Sequence, residues 1–192
     1  GAIGIGSSLI YAPGENADTN QLIELSKVAS SYGGRYISHL RNEDSRILSA
    51  VDELIEIAEK ADIPAEIYHL KASRKANYHL LDSVISRVEE ARSKGLKITA
   101  DMYTYTASST GLTGVIPTWV QEGGREAWIN RMKRPDIRKR LFEDQREAIE
   151  EDMAPFGFIL DGTDEEVEVD DKGDAWAKVD EYGDMAFMWD YK

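Results

Sequence analysis

The chain contains no cysteine and only five prolines among 192 residues. The first absence excludes a disulfide framework and any thiolate metal site, so a metal held here needs histidine and carboxylate ligands. No apolar run approaches the ~20 residues that a membrane-spanning helix requires. No basic start leads into an apolar stretch of the signal-peptide kind. A cytoplasmic location with no membrane partner is therefore expected. Histidine is scarce too, at three residues, which makes each position informative. The sequence opens inside an apolar, glycine-spaced stretch, GAIGIG, without Met, and this predicts a fragment of a longer chain.

A basic surplus is also missing. There are 36 acids and 23 bases, a net charge of −13. The excess is confined to residues 141–192, where 18 acids face 4 bases, while residues 1–140 hold 18 acids and 19 bases. An acidic tail repels phosphate backbones, so nucleic acid is not an expected partner. The tail itself reads as a solvated extension.

What is present is a rhythm. Residues 1–11 read as a strand, ended by Ala12-Pro13-Gly14. Thr19 is the expected cap of a helix running through Tyr32, which Gly33-Gly34 stops. Residues 35–40 (RYISHL) form a second strand, and Ser45 caps a second helix with Ile47, Leu48, Val51, Leu54, Ile55 and Ala58 inward. Residues 64–70 (PAEIYHL) form a third strand. A third helix spans about 78–94 and stops at Gly95, and 96–103 (LKITADMY) form a fourth strand. Strand–helix units repeated near every 30 residues predict βαβ units and a parallel sheet. Beyond Tyr105 come a Ser/Thr/Gly-rich loop (106–120), helices over 121–132 and 135–152 split at Pro135, and an irregular acidic extension from 154. The expected domains are therefore 1–153 and 154–192.

Two units look alike at one place. Strand two ends Ser38-His39-Leu40-Arg41 and strand three ends Tyr68-His69-Leu70-Lys71; strand four offers Asp101 at the corresponding place. Parallel strands in a closed α/β barrel carry chemistry at their C-terminal ends, and neighbouring strands lie about 4.8 Å apart. Two imidazoles so placed come within reach of one ion. Zinc needs three or four ligands, so the pair is half a site; the alternative is two packed histidines without chemistry. His79, at a helix start, reads as a surface residue. Lys71 leaves the strand end toward the same rim and suits a carboxylate, or is a solvated loop lysine. Tyr103, Tyr105, Ser108 and Ser109 make a hydroxyl-rich rim after strand four. GAIGIG lacks the spacing of a dinucleotide loop, and GIGSSLIY lacks a nucleophile-elbow pattern.

The segments GSSLIYAPGENADTNQLIELSKVASSYGG, RYISHLRNED, AEIYHLKAS and ITADMYTYTASSTGL occur in the order found in D-aminoacylases. Over about residues 1–140 the chain resembles these N-acyl-D-amino-acid deacylases of the amidohydrolase superfamily. The resemblance implies an α/β fold: parallel βα units forming part of a (β/α)8 metal-dependent hydrolase barrel, here its fourth to seventh strands. It implies that His39 and His69 are zinc ligands and that Lys71, Tyr103 and Ser109 hold the substrate's carboxylate. It implies zinc-dependent hydrolysis of the amide bond of an N-acyl-D-amino acid as the activity. The alternatives are a related amidohydrolase, dihydroorotase-like or D-glutamate-specific, and a truncated homologue without activity.

The departures shape the expectation for this chain. The family's early His-x-His motif, its metal-binding cysteine, its substrate-binding arginine and its proton-shuttling aspartate are not found. Gly162-Thr163-Asp164 stands in an acidic tail without the right context, so no catalytic residue is assigned. A (β/α)8 barrel takes ~250 residues, whereas 140 residues of this rhythm make half of one. Little activity from the isolated chain and self-association through open sheet edges are expected.

Overall fold

The computed structural model describes residues 1–104, 116–141 and 143. The chain divides into two units, Gly1–Tyr105 and Thr106–Lys192. In the first, β1 (Gly4–Ser8), β2 (Arg35–His39), β3 (Ala65–Ile67) and β4 (Ile98–Ala100) form one sheet in the order β1-β2-β3-β4. All its pairings are parallel. Parallel neighbours need long crossovers, and α1 (Thr19–Ser31), α2 (Ile47–Ala61) and α3 (Leu81–Ser93) supply them. This is the α/β alternation that the periodicity predicts.

The core lies between helices and sheet. α2 buries Ile47, Ala50, Val51, Leu54, Ile57, Ala58 and Ala61, a stripe at helical spacing. It belongs to the same cluster as the fully buried Tyr36, Ile67 and Ile98 of the sheet. Burial of a side chain the size of Leu54 or Ile57 contributes about 1.5–3 kcal/mol, so α2 is the main anchor. α1 buries only Leu22, Ile23 and Ser26, and α3 only Val84 and Ala91.

Local chemistry sets the element ends, and two caps differ from expectation. Asp18, not Thr19, caps α1: its carboxylate accepts the Gln21 N–H at 2.8 Å while the Gln21 side chain accepts the Asp18 N–H at 3.0 Å. This reciprocal box satisfies two amides at once. Thr19 becomes the first helical residue and donates its hydroxyl to Glu53 at 2.8 Å. Ser45 does not cap α2. The Asn42 side-chain oxygen instead accepts the amides of Asp44 and Arg46 at 3.0 and 2.9 Å. Gly95, at φ +95°, follows α3, a conformation glycine adopts without steric penalty. The helix expected from 78 is preceded by a 3-10 segment, Lys75–Leu80. The strands are shorter than expected because their ends turn; β3 stops at Ile67.

In the second unit the helix expected over 121–132 is two pieces, α4 (Thr118–Gln121) and α5 (Arg125–Met132). Gly123 and Gly124, at φ +83° and +85°, separate them. Residues 135–141 are helical, with Pro135 opening the segment where no N–H is needed. The domain boundary expected at 153/154 and the extension beyond it lie outside the described residues. Among the described residues no helix is long and apolar enough to cross a membrane.

Candidate metal centre

His39 is the last residue of β2. Tyr36 and Ser38 are buried on the helix side of that strand, where Ser7 Oγ meets the Tyr36 hydroxyl at 2.7 Å and donates to Ser38 Oγ at 3.0 Å. Strand alternation therefore aims His39 at the other face. The ladder corrects the expectation that the two histidines occupy equivalent strand ends. Ser38 pairs with Ile67, 29 residues on, whereas His39 and His69 are 30 residues apart. Tyr68 is level with His39, and a straight β3 would send His69 to the side of the buried Ala65 and Ile67. The chain turns instead, with His69 at φ +41°. The two imidazoles then meet edge to face, their centroids 4.4 Å apart.

Glu43, in the loop from β2 to α2, closes the group. It is 6% exposed. Its carboxylate lies 3.1 Å from His69 Nδ1 and 3.8 Å from His39 Nδ1, and accepts the Lys71 ammonium at 2.7 Å. One ligand atom from each of His39, Glu43 and His69 falls within 4.8 Å of the others. Sequence reasoning missed Glu43, because Arg-Asn-Glu-Asp reads as a solvated loop. Its spacing of four residues from His39 was the available signal.

Lys71 Nζ also lies 2.8 Å from His69 Nδ1 and 5.7 Å from the Tyr103 ring centroid. The Tyr103 ring stands 6.3 Å from that of His69. Tyr11, not singled out from sequence, meets the His39 ring edge-on at 5.1 Å. The structure thus gathers His39, His69, Lys71 and Tyr103; Ser109 lies outside the described residues. His79 is exposed in the 3-10 segment, away from the group.

Burial holds His39 below the ordinary imidazole pKa, which keeps it neutral near pH 7, the form a metal takes. Burial pushes the Glu43 carboxyl up, but the His69 hydrogen bond and the Lys71 charge outweigh it, and the net shift is downward. Burial lowers Lys71 while Glu43 opposes the change. The His39 Nδ1 sits 3.2 Å from the Leu40 carbonyl oxygen. A carbonyl only accepts, so that bond assigns the proton to Nδ1 and leaves Nε2 its lone pair. Two imidazole nitrogens suit zinc, which takes three or four ligands, and Glu43 stands on their Nδ1 side, where a carboxylate supports a metal-bound histidine.

No family model matches the chain. Among curated proteins it is 32% identical over 110 residues to the N-acyl-D-glutamate deacylase of Alcaligenes xylosoxydans xylosoxydans, covering 57% of this chain and 22% of that protein. It is 33% identical over 112 residues to the D-aminoacylase of the same organism, covering 58% and 23%. Among solved structures it matches the N-acyl-D-glutamate deacylase of Bordetella bronchiseptica, which is complexed with zinc and a phosphonate mimic of the tetrahedral intermediate. That match has a TM-score of 0.57 at 30% identity and covers 58% of this chain and 24% of that one. A D-aminoacylase structure that defines a subset of amidohydrolases matches with a TM-score of 0.56 at 33% identity, covering 58% and 23%. The chain spans less than a quarter of the length of these relatives. Over that shared part, its four parallel strands and their helices are homologous to a portion of the D-aminoacylase fold among the amidohydrolases.

Proposed function

We propose that this chain carries the middle part of a zinc-dependent hydrolase that cleaves the amide bond of N-acyl-D-amino acids. The observation that supports it best is the meeting of His39 and His69, 4.4 Å apart at centroids, beyond adjacent parallel strands. On this reading His39 and His69 hold zinc through imidazole nitrogen. Glu43 hydrogen-bonds His69 from behind, as carboxylates do behind metal-bound histidines. Zinc, when bound, lowers the pKa of a water to about 7 and polarises the acyl carbonyl. Lys71 and Tyr103 receive the substrate's carboxylate, with Ser109 as a third contact. Glu43, which Lys71 contacts at 2.7 Å, opposes the loss of its charge on burial. No residue of this chain is assigned the proton transfer to the leaving amine. We therefore expect little or no activity from the chain alone.

Identity to the N-acyl-D-glutamate deacylase, 32%, is level with that to the D-aminoacylase, 33%, so specificity for D-glutamate stands as a second reading within the same chemistry. The test has two arms. Metal analysis of the purified chain should find zinc that His39→Ala removes; a chain with no zinc, unchanged by that substitution, defeats the metal reading. A panel of N-acetyl-D- and L-amino acids given to a full-length protein containing this sequence should release amine from D-substrates. Release from L-substrates alone defeats the proposed stereospecificity, and release from N-acetyl-D-glutamate alone selects the second reading.

A further inference from the structure

His69 faces His39 because the backbone bends after β3, and Asp101 makes three hydrogen bonds across that bend, beside those of Tyr68 N–H to the Ser38 carbonyl and of Lys71 to the His69 carbonyl. The Asp101 carboxylate accepts the His69 N–H at 2.6 Å. The Asp101 carbonyl accepts the Leu70 N–H at 2.8 Å, and the Asp101 N–H donates to the Ile67 carbonyl at 3.1 Å. The two backbone bonds are open to any residue at 101 except, for the last, proline. The bond to the His69 amide belongs to the side chain. It satisfies a donor that leaves the sheet ladder at the point where φ turns to +41°, a region that L-residues with a Cβ avoid.

We propose that Asp101 is a positioning residue: its carboxylate fixes the left-handed turn at His69 and so aims that imidazole at His39 and Glu43. The inference rests on the pair serving as metal ligands for its functional weight, but not for its geometry. Asp101 acts through the His69 backbone and takes no part in binding the metal. An acceptor oxygen is what the position requires, so asparagine meets the need and an apolar residue does not.

The experiment uses the full 192-residue chain and two readouts. The first is the nuclear Overhauser effect between the His39 and His69 ring protons, recorded without metal. The second is zinc affinity by calorimetry. In Asp101→Ala the ring-to-ring effect should vanish and zinc affinity should fall about 10–100-fold, the range of outer-partner substitutions. Asp101→Asn should keep both. Asp101→Val, suited to a strand but lacking an acceptor, should behave as the alanine variant does; it decides the matter if alanine unfolds the chain. A ring-to-ring effect that persists in the folded alanine or valine variant overturns the proposal, as does its absence from the unsubstituted chain. If the effect follows the acceptor at 101 but no variant binds zinc, the positioning role stands and the metal reading fails.

Discussion

Glu43 shows how a buried carboxylate stays charged. Isolated, it would be driven toward the neutral acid. Lys71 and His69 reverse that drift. A carboxyl whose folded pKa lies below its unfolded value adds stability that is fully present above the unfolded pKa. The contribution is lost as pH falls through the lower, folded value. Glu43→Gln should therefore be less stable than the unsubstituted chain at neutral pH, and the gap should close in acid, below the ordinary carboxylate range. Thermal melts of both chains across pH 7 to 3 check this. A gap that stays constant across that span would mean that Glu43 contributes packing rather than charge. The two histidines were legible in the sequence because His-Leu-basic ends two successive units. Glu43 was not, because its burial depends on Lys71 and His69 arriving from 28 and 26 residues away.

At the level of elements, periodicity was a sound guide and boundaries were not. The inward stripe of α2 was legible because apolar residues at helical spacing have one buried solution. The cap at Asp18 was obscured by Thr19 beside it, and only the reciprocal Gln21 bond distinguishes them. The break at Gly123-Gly124 is a backbone preference that apolar periodicity does not register. The anchoring role of α2 has a measurable consequence. Leu54→Ala should destabilise the chain by about 2–5 kcal/mol, read as a shift of the urea midpoint. A change within 0.5 kcal/mol, the usual range for surface positions, would show that the stripe is not the core.

At the scale of the whole molecule, the strand order among the described residues leaves β1 and β4 as the outer strands of a four-stranded parallel sheet. Parallel sheets ordinarily have both faces covered and few exposed edges. The outer edges of β1 and β4 carry backbone donors and acceptors that another strand can pair with. Sedimentation of the isolated chain should reveal association that grows with concentration; a stable monomer throughout would contradict it. This scale was the most legible, since four strand–helix units and a parallel sheet follow from the repeat.

The bend at His69 sets two demands against each other at one position. The backbone there favours glycine, because a left-handed turn costs a residue with a Cβ about 1–2 kcal/mol. On the proposed metal reading, the site needs an aromatic nitrogen base there. A library randomised at 69 and sorted only for heat resistance would thus drift toward glycine and discard the imidazole. Robustness and reactivity are in opposition there.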